Sequence, residues 1–574
     1  MAQTLFKFHG GVKPNPNKDE STRLPIATPP LPPRLIVPLH QHVGGAPHPL
    51  VKPGQKVLKG QRIGAADGNV SSAVHAPTSG TVKAVEPCLM PHPSGLSAPS
   101  VVIDADGEDR WGDLEPIDFR SASPGEVRDF LRDAGVVGLG GAVFPSHLKL
   151  RPGNDTPTKT LVLNGAECEP FLTCDDMLMR EQPELIVKGA AIMRHLLQAQ
   201  EVLIGIEDNK PRAIAAMQAT VSRIGEGMKV VPIPTRYPAG GAKQLVTVLT
   251  GIEVPHGVRS TDYGVQCFNV GTAASIWAAV ELGQPLISRI VTVAGNVGEP
   301  RNYDVLIGTP IEHLVNLARP LADTNRFIMG GPMMGFSLPG LKAPVVKATN
   351  CILAASSRLF PPPPPEMPCI RCTSCVDACP TDLQPHEMYW FSRSHNFGKA
   401  QEYNLFDCIE CGCCSYVCPS HIPLVDYFRF AKSEIWARER EKAAADSARD
   451  RFEFRADRLE REKQEKAEKL AAKTAAARET VEKKLAAAKP GGVPVPAGGA
   501  PAATAAAMPA EGDEAARKKA LVAEAIERAK VQKAATAPKN TEHLSPEQRA
   551  EIAAIEARRN KFRETARTRD EAPD

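Results

Sequence analysis

The chain has few aromatic residues, no marked excess of either charge and no long uninterrupted apolar run. Aromatic residues make up 5% of the 574 residues, and 69 basic side chains nearly balance 66 acidic ones, giving a formal net charge of +3. This balance disfavours a nucleic-acid-binding protein, which usually carries a clustered basic excess. The length predicts several domains of about 100–200 residues each.

Signals for export and for membrane insertion are also missing from the sequence. The first residues contain no apolar core followed by a small-residue cleavage site, so we expect no signal peptide. The closest approach to a membrane span is the uncharged run 263–280, which Gln266, Asn269 and Ser275 interrupt. This run predicts a buried loop and helix, and we expect no transmembrane segment.

Cysteine, in contrast, is plentiful and concentrated in one region. The chain has 14 cysteines, and nine of them lie between Cys369 and Cys418. A disulfide framework would be typical of a small secreted domain. A dense cluster in a chain without an export signal indicates metal binding instead.

Eight of these cysteines form two copies of the pattern C-x2-C-x2-C-x3-C-P. This pattern is typical of two-cluster ferredoxins, in which the fourth cysteine of each copy binds the other cluster. The spacing therefore predicts two [4Fe–4S] clusters. The predicted ligands of the first cluster are Cys369, Cys372, Cys375 and Cys418, and those of the second are Cys408, Cys411, Cys414 and Cys379.

Two alternatives bear on this prediction. Zinc sites usually use two cysteine pairs, often with histidine, which differs from two four-cysteine runs that each end in proline. Cys413 lies inside the second run without breaking its spacing. It is either a spare thiol or a replacement for Cys414 in a distorted loop.

Iron–sulfur cubanes accept one electron at a time, whereas a nicotinamide cofactor gives up two electrons as a hydride. A flavin is the usual converter between the two, because it is stable in three redox states. If NADH loads the clusters, the chain must also hold a flavin.

Upstream of the cysteines, the residue pattern of the sequence changes twice. Residues 30–110 alternate short apolar runs with glycine-containing turns, which predicts a small β-sandwich. Its phrasing resembles the biotinyl/lipoyl barrel-sandwich family, although the hairpin 70–75 has no lysine to modify, so a structural or docking role is expected. From Ser123, whose spacing to Glu126 predicts a capping box, helices and strands alternate as in a layered α/β domain.

Within this α/β region, the glycine-rich run 138–145 follows the first helix and precedes a predicted strand at 159–164. Glycines allow backbone N–H groups to approach a phosphate, although such a run can also be a simple tight turn. Lys149 could pair with phosphate or with a reduced flavin. Its other interpretation is a surface lysine.

Three sequence segments together resemble the flavin-bearing, NADH-oxidising subunit of respiratory complex I: GVVGLGGAVFPSHLKL (135–150), LNGAECEPFLTCDD (163–176) and YPAGGAKQLVTVLTG (237–251). The module at 285–320 resembles that subunit's SLBB (soluble-ligand-binding β-grasp) domain. The order of modules from FKFHGGVKPNPNK to the two cysteine runs resembles the RnfC family of Rnf (Rsx) ion-translocating electron-transport complexes. This resemblance covers about residues 1–435.

The predicted fold class is multidomain α+β, ending in a mobile, charged helical tail. The predicted domains are a lipoyl-like barrel sandwich at 1–115, a Rossmann-like FMN/NADH-binding α/β domain at 116–260, an SLBB-like domain at 261–345, a proline-rich linker at 346–366, a helical two-[4Fe–4S] ferredoxin-type domain at 367–435 and the tail at 436–574.

The resemblance implies a peripheral subunit on the cytoplasmic face of the inner membrane that binds FMN and NADH. It implies integral-membrane and ferredoxin-like partner subunits and the movement of Na⁺ or H⁺. Carried over by position, the flavin-binding residues are Gly138, Gly140, Gly141, Ala142, Phe144, Lys149, Asn164 and Glu167. Glu167, Glu169 and Lys149 are the implied catalytic residues, with Pro170 completing the acidic loop.

Two positions depart from the relatives' pattern. The aspartate of the acidic loop is Ala166, and the Gly-Glu-Glu after the later tyrosine is Gly240-Gly241-Ala242. Two other functions stay open at this point. One is a non-catalytic iron–sulfur relay with a degenerate flavin site, and the other is a diaphorase subunit of a soluble hydrogenase or formate dehydrogenase.

Overall fold

The structure is a computed structural model that describes residues 4–152 and 156–487. The chain divides into two compact units, one ending at Asp457 and one beginning at Arg458. Helices and strands both contribute to the first unit, which confirms the predicted mixed fold class. Single turns of 3-10 helix lie at Glu20–Thr22, Ser260–Tyr263 and Leu405–Asp407.

The N-terminal module consists of two small antiparallel sheets. Its strands are β1 (Arg34–Pro38), β2 (His48–Pro49), β3 (Lys56–Val57), β4 (Arg62–Ala65), β5 (Val74–His75), β6 (Gly80–Leu89) and β7 (Ser97–Ala105). One sheet has the order β1-β7-β6-β3 and the other the order β2-β4-β5. Val37, Ile63, Val101 and Ile103 are fully buried in a shared core, so apolar packing between the strands holds the module together.

The second module is a parallel sheet covered by helices. Its elements are α1 (Pro124–Asp133), α2 (Ser146–Lys149), β8 (Thr160–Gly165), α3 (Cys174–Glu181), α4 (Pro183–Leu197), β9 (Glu201–Glu207), α5 (Pro211–Ile224), β10 (Met228–Ile233), α6 (Ala242–Thr250), β11 (Val265–Asn269) and α7 (Val270–Leu282). The predicted capping box is present at α1, where Glu126 N–H donates to Ser123 Oγ at 3.3 Å.

The strand order of this sheet is β10-β9-β8-β11, and every pair is parallel. The uncharged run 263–280 is therefore a strand and a helix, where the sequence predicts a loop and a helix. Because β11 pairs with β8, this module continues past residue 260 to Leu282. A single sequence shows that the run is apolar but not which strand it pairs with.

The third module is a mixed five-stranded sheet with one helix. Its elements are β12 (Ser288–Gly295), β13 (Arg301–Leu306), α8 (Ile311–Ala318), β14 (Thr324–Met329), β15 (Phe336–Ser337) and β16 (Cys351–Ser356). The strand order is β13-β12-β16-β14-β15. β16 is the central strand of this sheet, so the module extends into the stretch 346–366 that the sequence analysis assigns to a linker.

The cysteine-rich segment is a small helical module. It contains α9 (Ser374–Asp377), α10 (Pro385–Arg393), α11 (Phe397–Glu402), α12 (Cys413–Tyr416) and the start of α13 (Leu424–Ala487). Met388, Tyr389 and Phe428 are fully buried between these helices. The short α9 and α12 each begin inside a cysteine run, so the two runs fold in the same way.

The 64-residue helix α13 is exposed along most of its length and carries ion pairs one turn apart. Lys483 contacts Glu479 at 2.8 Å and Lys469 contacts Glu465 at 3.9 Å, as their spacing predicts. The predicted mobility of the tail beyond 487 lies outside the described residues. Within the described ranges, no helix combines the length and the apolar character needed to cross a lipid bilayer.

Candidate flavin and iron–sulfur sites

The parallel sheet changes direction at β8, and this creates a crevice at the carboxyl ends of its strands. From β8 the chain first adds β9 and β10 on one side, and later β11 on the other. Such a switch point is the usual ligand site of an open α/β sheet. The β8–β11 register pairs Asn164 with Asn269, so two asparagines lie side by side at this end of the sheet.

The glycine loop packs against the first turn of α7. Gly138 N–H donates to Phe144 O at 2.9 Å and closes the loop. Leu139 N–H donates to Thr272 Oγ1 at 2.9 Å. A Cβ on Gly140 would lie 3.3 Å from the Asn269 Cβ, so a side chain at position 140 would push the loop away from the helix.

The tip of this loop forms an open cradle beside a helix N-terminus. Gly140, Gly141 and Ala142 are exposed, and the space around Gly141, whose φ is +102°, is empty. The N-terminus of a helix of 13 residues such as α7 favours an anion through its free N–H groups and its dipole. These residues fit the phosphate of a flavin mononucleotide. Beside them opens a groove of about 480 Å³, which Leu139 and Gly271 line.

Asn269 connects this helix to the half-buried Asp175 and, through it, to the buried Glu167, two carboxylates that the sequence does not single out as a pair. Its amide donates to Asp175 Oδ2 at 2.6 Å, and its Oδ1 accepts from Gly271 N–H at 2.8 Å. Burial and the neighbouring Glu167 carboxylate raise the pKa of Asp175 to about 7. Asp175 also lines the groove, so this carboxyl can exchange a proton near neutral pH at the edge of the site.

Glu167, a predicted flavin-binding and catalytic residue, is buried and contacts the start of α3. Its Oε1 accepts from Asp175 N–H at 2.9 Å, and its Oε2 accepts from Asp176 N–H at 3.3 Å. These are free donors at the start of α3, where a carboxylate is favourable. Glu167 therefore orients Asp175.

Two buried lysines hold the acidic loop from either side. Lys210 Nζ donates to Glu167 O at 3.2 Å and forms an ion pair with Glu207 at 2.7 Å. Lys18 Nζ donates to Glu169 O at 2.9 Å and to Leu172 O. The loop is thus fixed by ammonium–carbonyl contacts to its backbone.

The other predicted catalytic residues also have defined contacts. Lys149 Nζ donates to Cys267 O at 2.5 Å and lies 4.4 Å from the centre of the Phe268 ring, and burial lowers its pKa. Glu169 Oε1 accepts from Met333 N–H at 2.7 Å, whereas its buried Oε2 has no partner. Burial raises the pKa of the Glu169 carboxyl. Of Lys149 and Glu169, it is Glu169 that has a buried side-chain oxygen without a hydrogen-bond partner.

The predicted ligands of the second cluster surround one pocket. Apolar side chains such as Leu383 and Phe428 complete the wall of this pocket. The cysteines that line it are Cys379, Cys408, Cys411, Cys413 and Cys414. The structure thus brings Cys379 from the first run to three predicted ligands of the second, in the crossed arrangement that the motif predicts.

Four thiols around one pocket are the donor set that a [4Fe–4S] cluster uses, so these residues fit the group. Cys413 also faces the pocket, and the neighbouring Cys411 thiol raises the pKa of the Cys413 thiol. In residues 4–152 and 156–487, no three Cys, His, Asp or Glu side chains lie close enough to hold a single metal ion.

The other four predicted ligands are more accessible. Cys375 is buried, Cys369 and Cys418 are half-buried, and Cys372 is exposed. Burial, with the nearby Cys372 and Cys369 thiols, raises the pKa of Cys375 to about 11. The thiols of Cys369, Cys372 and Cys375 therefore lie near one another.

A short segment after β10 connects the two sites. Asn164 Nδ2 donates to Gly240 O at 2.8 Å on the crevice side. Three residues earlier, the Tyr237 hydroxyl donates to the backbone carbonyl of Cys411 at 2.6 Å. Segment 237–240 therefore contacts the crevice at one end and the loop that carries Cys411 at the other.

The sequence analysis missed Asn269, Asp175 and Arg289 as site residues. Asn269 ends an apolar strand and begins a helix, which is a recognisable N-cap signal. Arg289, on β12, is buried and donates to Leu139 O at 3.4 Å and to Lys347 O. Nothing in the sequence near Arg289 connects it to the glycine loop, because that contact arises between modules.

Family models match four stretches of the chain. They are the RnfC barrel sandwich hybrid domain at 6–108, the Nuo51 FMN-binding domain at 131–278, the SLBB domain at 290–337 and the 4Fe-4S dicluster domain at 368–422. These matches confirm the predicted cofactors FMN and [4Fe–4S], and the four predicted types of module.

Among curated proteins, the chain is similar to RnfC, of the ion-translocating oxidoreductase complex, from Klebsiella pneumoniae, at 49% identity over 468 residues, or 81% of this chain and 62% of that protein. The protein of the same name from Pseudomonas aeruginosa is 47% identical over 467 residues, or 81% of this chain and 60% of the relative. The chain thus spans about three fifths of the length of these relatives.

Among solved structures, the chain is similar to an NAD⁺-reducing [NiFe]-hydrogenase in the H₂-reduced state. The identity is 17%, and the match covers 56% of this chain and 62% of that one with a TM-score of 0.39, which is too low to carry an argument.

The parallel sheet with its glycine cradle and the thiol-lined pocket define an iron–sulfur flavoprotein of the electron-transfer class. More specifically, about four fifths of the chain is similar to the RnfC proteins of ion-translocating oxidoreductase complexes, and its N-terminal module matches the RnfC barrel-sandwich domain, in agreement with the resemblance of its motifs.

Proposed function

We propose that the chain is the NADH-linked electron-transfer subunit of a membrane-bound complex that moves Na⁺ or H⁺. Its partners are integral-membrane and ferredoxin-like subunits, and it lies peripherally on the cytoplasmic face of the inner membrane. The names of the relatives support the assignment to an ion-translocating oxidoreductase. The two cofactor types support electron transfer as this subunit's contribution.

One observation carries the proposal, namely a single segment that contacts both the crevice and the loop of the thiol pocket. Segment 237–240 contacts Asn164 of the crevice through Gly240 and Cys411 of the pocket through Tyr237. Electrons that enter as a pair at the crevice thus have a short covalent and hydrogen-bonded route to a one-electron site. FMN supplies the conversion from paired to single electrons when it is bound.

We assign binding of the flavin phosphate and ring to the cradle and its surroundings. Gly138, Gly140 and Gly141 allow the backbone to approach, and Ala142, Phe144 and Asn164 complete the surroundings. Glu167 fixes Asp175, which holds or releases a proton beside the site. Lys149 stabilises β11 by donating a hydrogen bond to the carbonyl oxygen of Cys267.

Glu169 is the residue that we assign to NADH, because its Oε2 is the unpartnered polar atom of the acidic loop. In place of the relatives' second acidic pair, Gly241 and Ala242 begin α6. Without those carboxylates, the dinucleotide depends more heavily on Glu169. We therefore expect the affinity for NADH to be sensitive to this residue.

We assign the cluster ligands as the spacing predicts them. The second cluster takes Cys379, Cys408, Cys411 and Cys414, and the first takes Cys369, Cys372, Cys375 and Cys418. Because Cys372 is exposed, the first cluster is the one nearer to a partner that accepts electrons.

An anaerobic titration of the purified chain with NADH tests this function. We expect bleaching of the flavin absorbance, followed by EPR signals of reduced [4Fe–4S] clusters. Cluster signals with dithionite but no flavin would support the non-catalytic relay. Copurification without integral-membrane subunits would support the soluble diaphorase.

A further inference from the structure

The N-terminal segment 8–12 runs across the loop that carries Cys379. His9 Nδ1 lies 2.8 Å from the Cys379 carbonyl oxygen, within hydrogen-bond distance. Gly11 N–H donates to Ala378 O at 2.9 Å. Two successive carbonyls of the first cysteine run are therefore held by a segment more than 350 residues away in the chain.

The same segment reaches the second cysteine run through one side chain. Val12 N–H donates to Tyr237 O at 2.8 Å, and Tyr237 N–H donates to Val12 O at 3.0 Å. Tyr237 in turn donates its hydroxyl to Cys411 O at 2.6 Å. Segment 8–12 and Tyr237 thus bridge the two ligand-bearing loops, contacting one loop on each side.

Glycine is required where this segment approaches most closely. Gly10 has a φ of +64°, and a Cβ there would lie 2.5 Å from Cys379 O and 2.7 Å from Ala378 O. Gly11 has a φ of +84°, and its Cβ would lie 2.6 Å from Tyr237 O. In both cases the obstacle is backbone, which cannot rotate away as a flexible side chain can.

We infer that residues 8–12 are a positioning clamp for the cluster held by Cys379, Cys408, Cys411 and Cys414. The inference rests on the proposed function, since it assumes that this cluster forms. Cys379 is separated from Cys408 by 28 residues, so the four thiols need a contact that fixes the distance between the two loops. Groups that orient metal ligands from outside typically change metal affinity by about 10–100-fold.

The test compares Gly10→Ala with Gly54→Ala in the full chain. Gly54 also has a positive φ, +85°, but nothing lies within 4 Å of its added Cβ, so it controls for backbone strain alone. After anaerobic purification, we expect about eight iron atoms per chain in the original protein and in Gly54→Ala, as two [4Fe–4S] clusters require. We expect about four in Gly10→Ala, with unchanged FMN content.

A second pair of variants keeps the test decisive if Gly10→Ala misfolds. His9→Leu removes the ring nitrogen, whereas His9→Asn keeps a donor near the Nδ1 position. We expect a ferrous chelator to remove iron about tenfold faster from His9→Leu, and His9→Asn to restore the original rate. A purely structural contribution of the ring to packing would not be restored by asparagine.

The outcomes separate the two proposals. If the original protein binds two clusters and all four variants match it in iron content and release rate, the clamp is refuted and the proposed function stands. If the original protein binds no cluster under these conditions, the proposed function itself fails.

Discussion

Asn164 and Asn269 are register partners at the carboxyl ends of two adjacent parallel strands. Each has a fixed orientation, because Asn164 donates to Gly240 O at 2.8 Å and Asn269 donates to Asp175 at 2.6 Å. One asparagine faces the segment that leads to the thiol pocket, and the other caps the helix beside the glycine cradle. The pair thus connects the flavin side of the molecule to the iron–sulfur side.

The close approach of the glycine loop to α7 predicts a loss of flavin binding on substitution. In Gly140→Val, the new side chain collides with Asn269 and displaces the cradle. We expect FMN to bind at least about tenfold more weakly, or about 1.4 kcal/mol, as measured by quenching of FMN fluorescence. Gly398→Val is the matched control, since its Cβ meets nothing within 4 Å. Equal FMN affinity in both variants would contradict the cradle.

The raised pKa of Asp175 predicts a contribution to the free energy of unfolding that depends on pH. Its pKa is raised from 3.8 to about 7, so the folded state binds this proton more tightly than the unfolded state does. The resulting stabilisation is complete below about pH 4 and is lost as the pH rises through 7. We expect Asp175→Asn to raise the melting temperature at pH 8 relative to its effect at pH 4, by differential scanning calorimetry. An identical shift at both pH values would count against a buried, protonated Asp175.

The pair Lys210–Glu207 predicts a large loss of stability when one partner is removed. Both side chains are essentially fully buried and lie 2.7 Å apart. Lys210→Met leaves an unpaired buried carboxylate, and we expect it to cost about 3–5 kcal/mol in chemical unfolding. Lys210→Met combined with Glu207→Leu removes both charges and should recover much of this loss. A double variant as unstable as the single one would show that the ammonium–carbonyl contact to Glu167 matters more.

The pocket with five cysteines predicts different results for two neighbouring thiols. Cys414→Ser removes a predicted ligand, so we expect iron to fall from about eight to about four atoms per chain. Cys413→Ser removes the spare thiol and should leave iron and EPR spectra unchanged. If Cys413→Ser loses iron and Cys414→Ser does not, then Cys413 replaces Cys414 as the ligand and the loop is distorted.

Local patterns in the sequence predicted most of the elements. The capping box of α1 depends on a spacing of three residues, and β8 is a short apolar run whose two ends lie one residue later than the predicted 159–164. The crossed cysteine pattern also comes from spacing within each run. Its ligand assignment stays a prediction, although Cys379 faces the pocket of the second run as expected.

Contacts between distant segments were not predictable in the same way. Asp175 and Asn269 are 94 residues apart and meet because β11 inserts beside β8. The boundary placed at residue 260 missed this strand, because its apolar run without charge fits a buried helix as well as a strand. The contact of His9 with Cys379 O likewise depends on tertiary packing.

Chemical analysis of the anaerobically purified full chain tests most directly whether it holds both an FMN, which accepts paired electrons, and two clusters, which pass on single electrons. We expect about eight iron atoms, about eight acid-labile sulfides and about one FMN per chain. Far less iron and sulfide, or clusters without any flavin in protein that is otherwise folded, would contradict it.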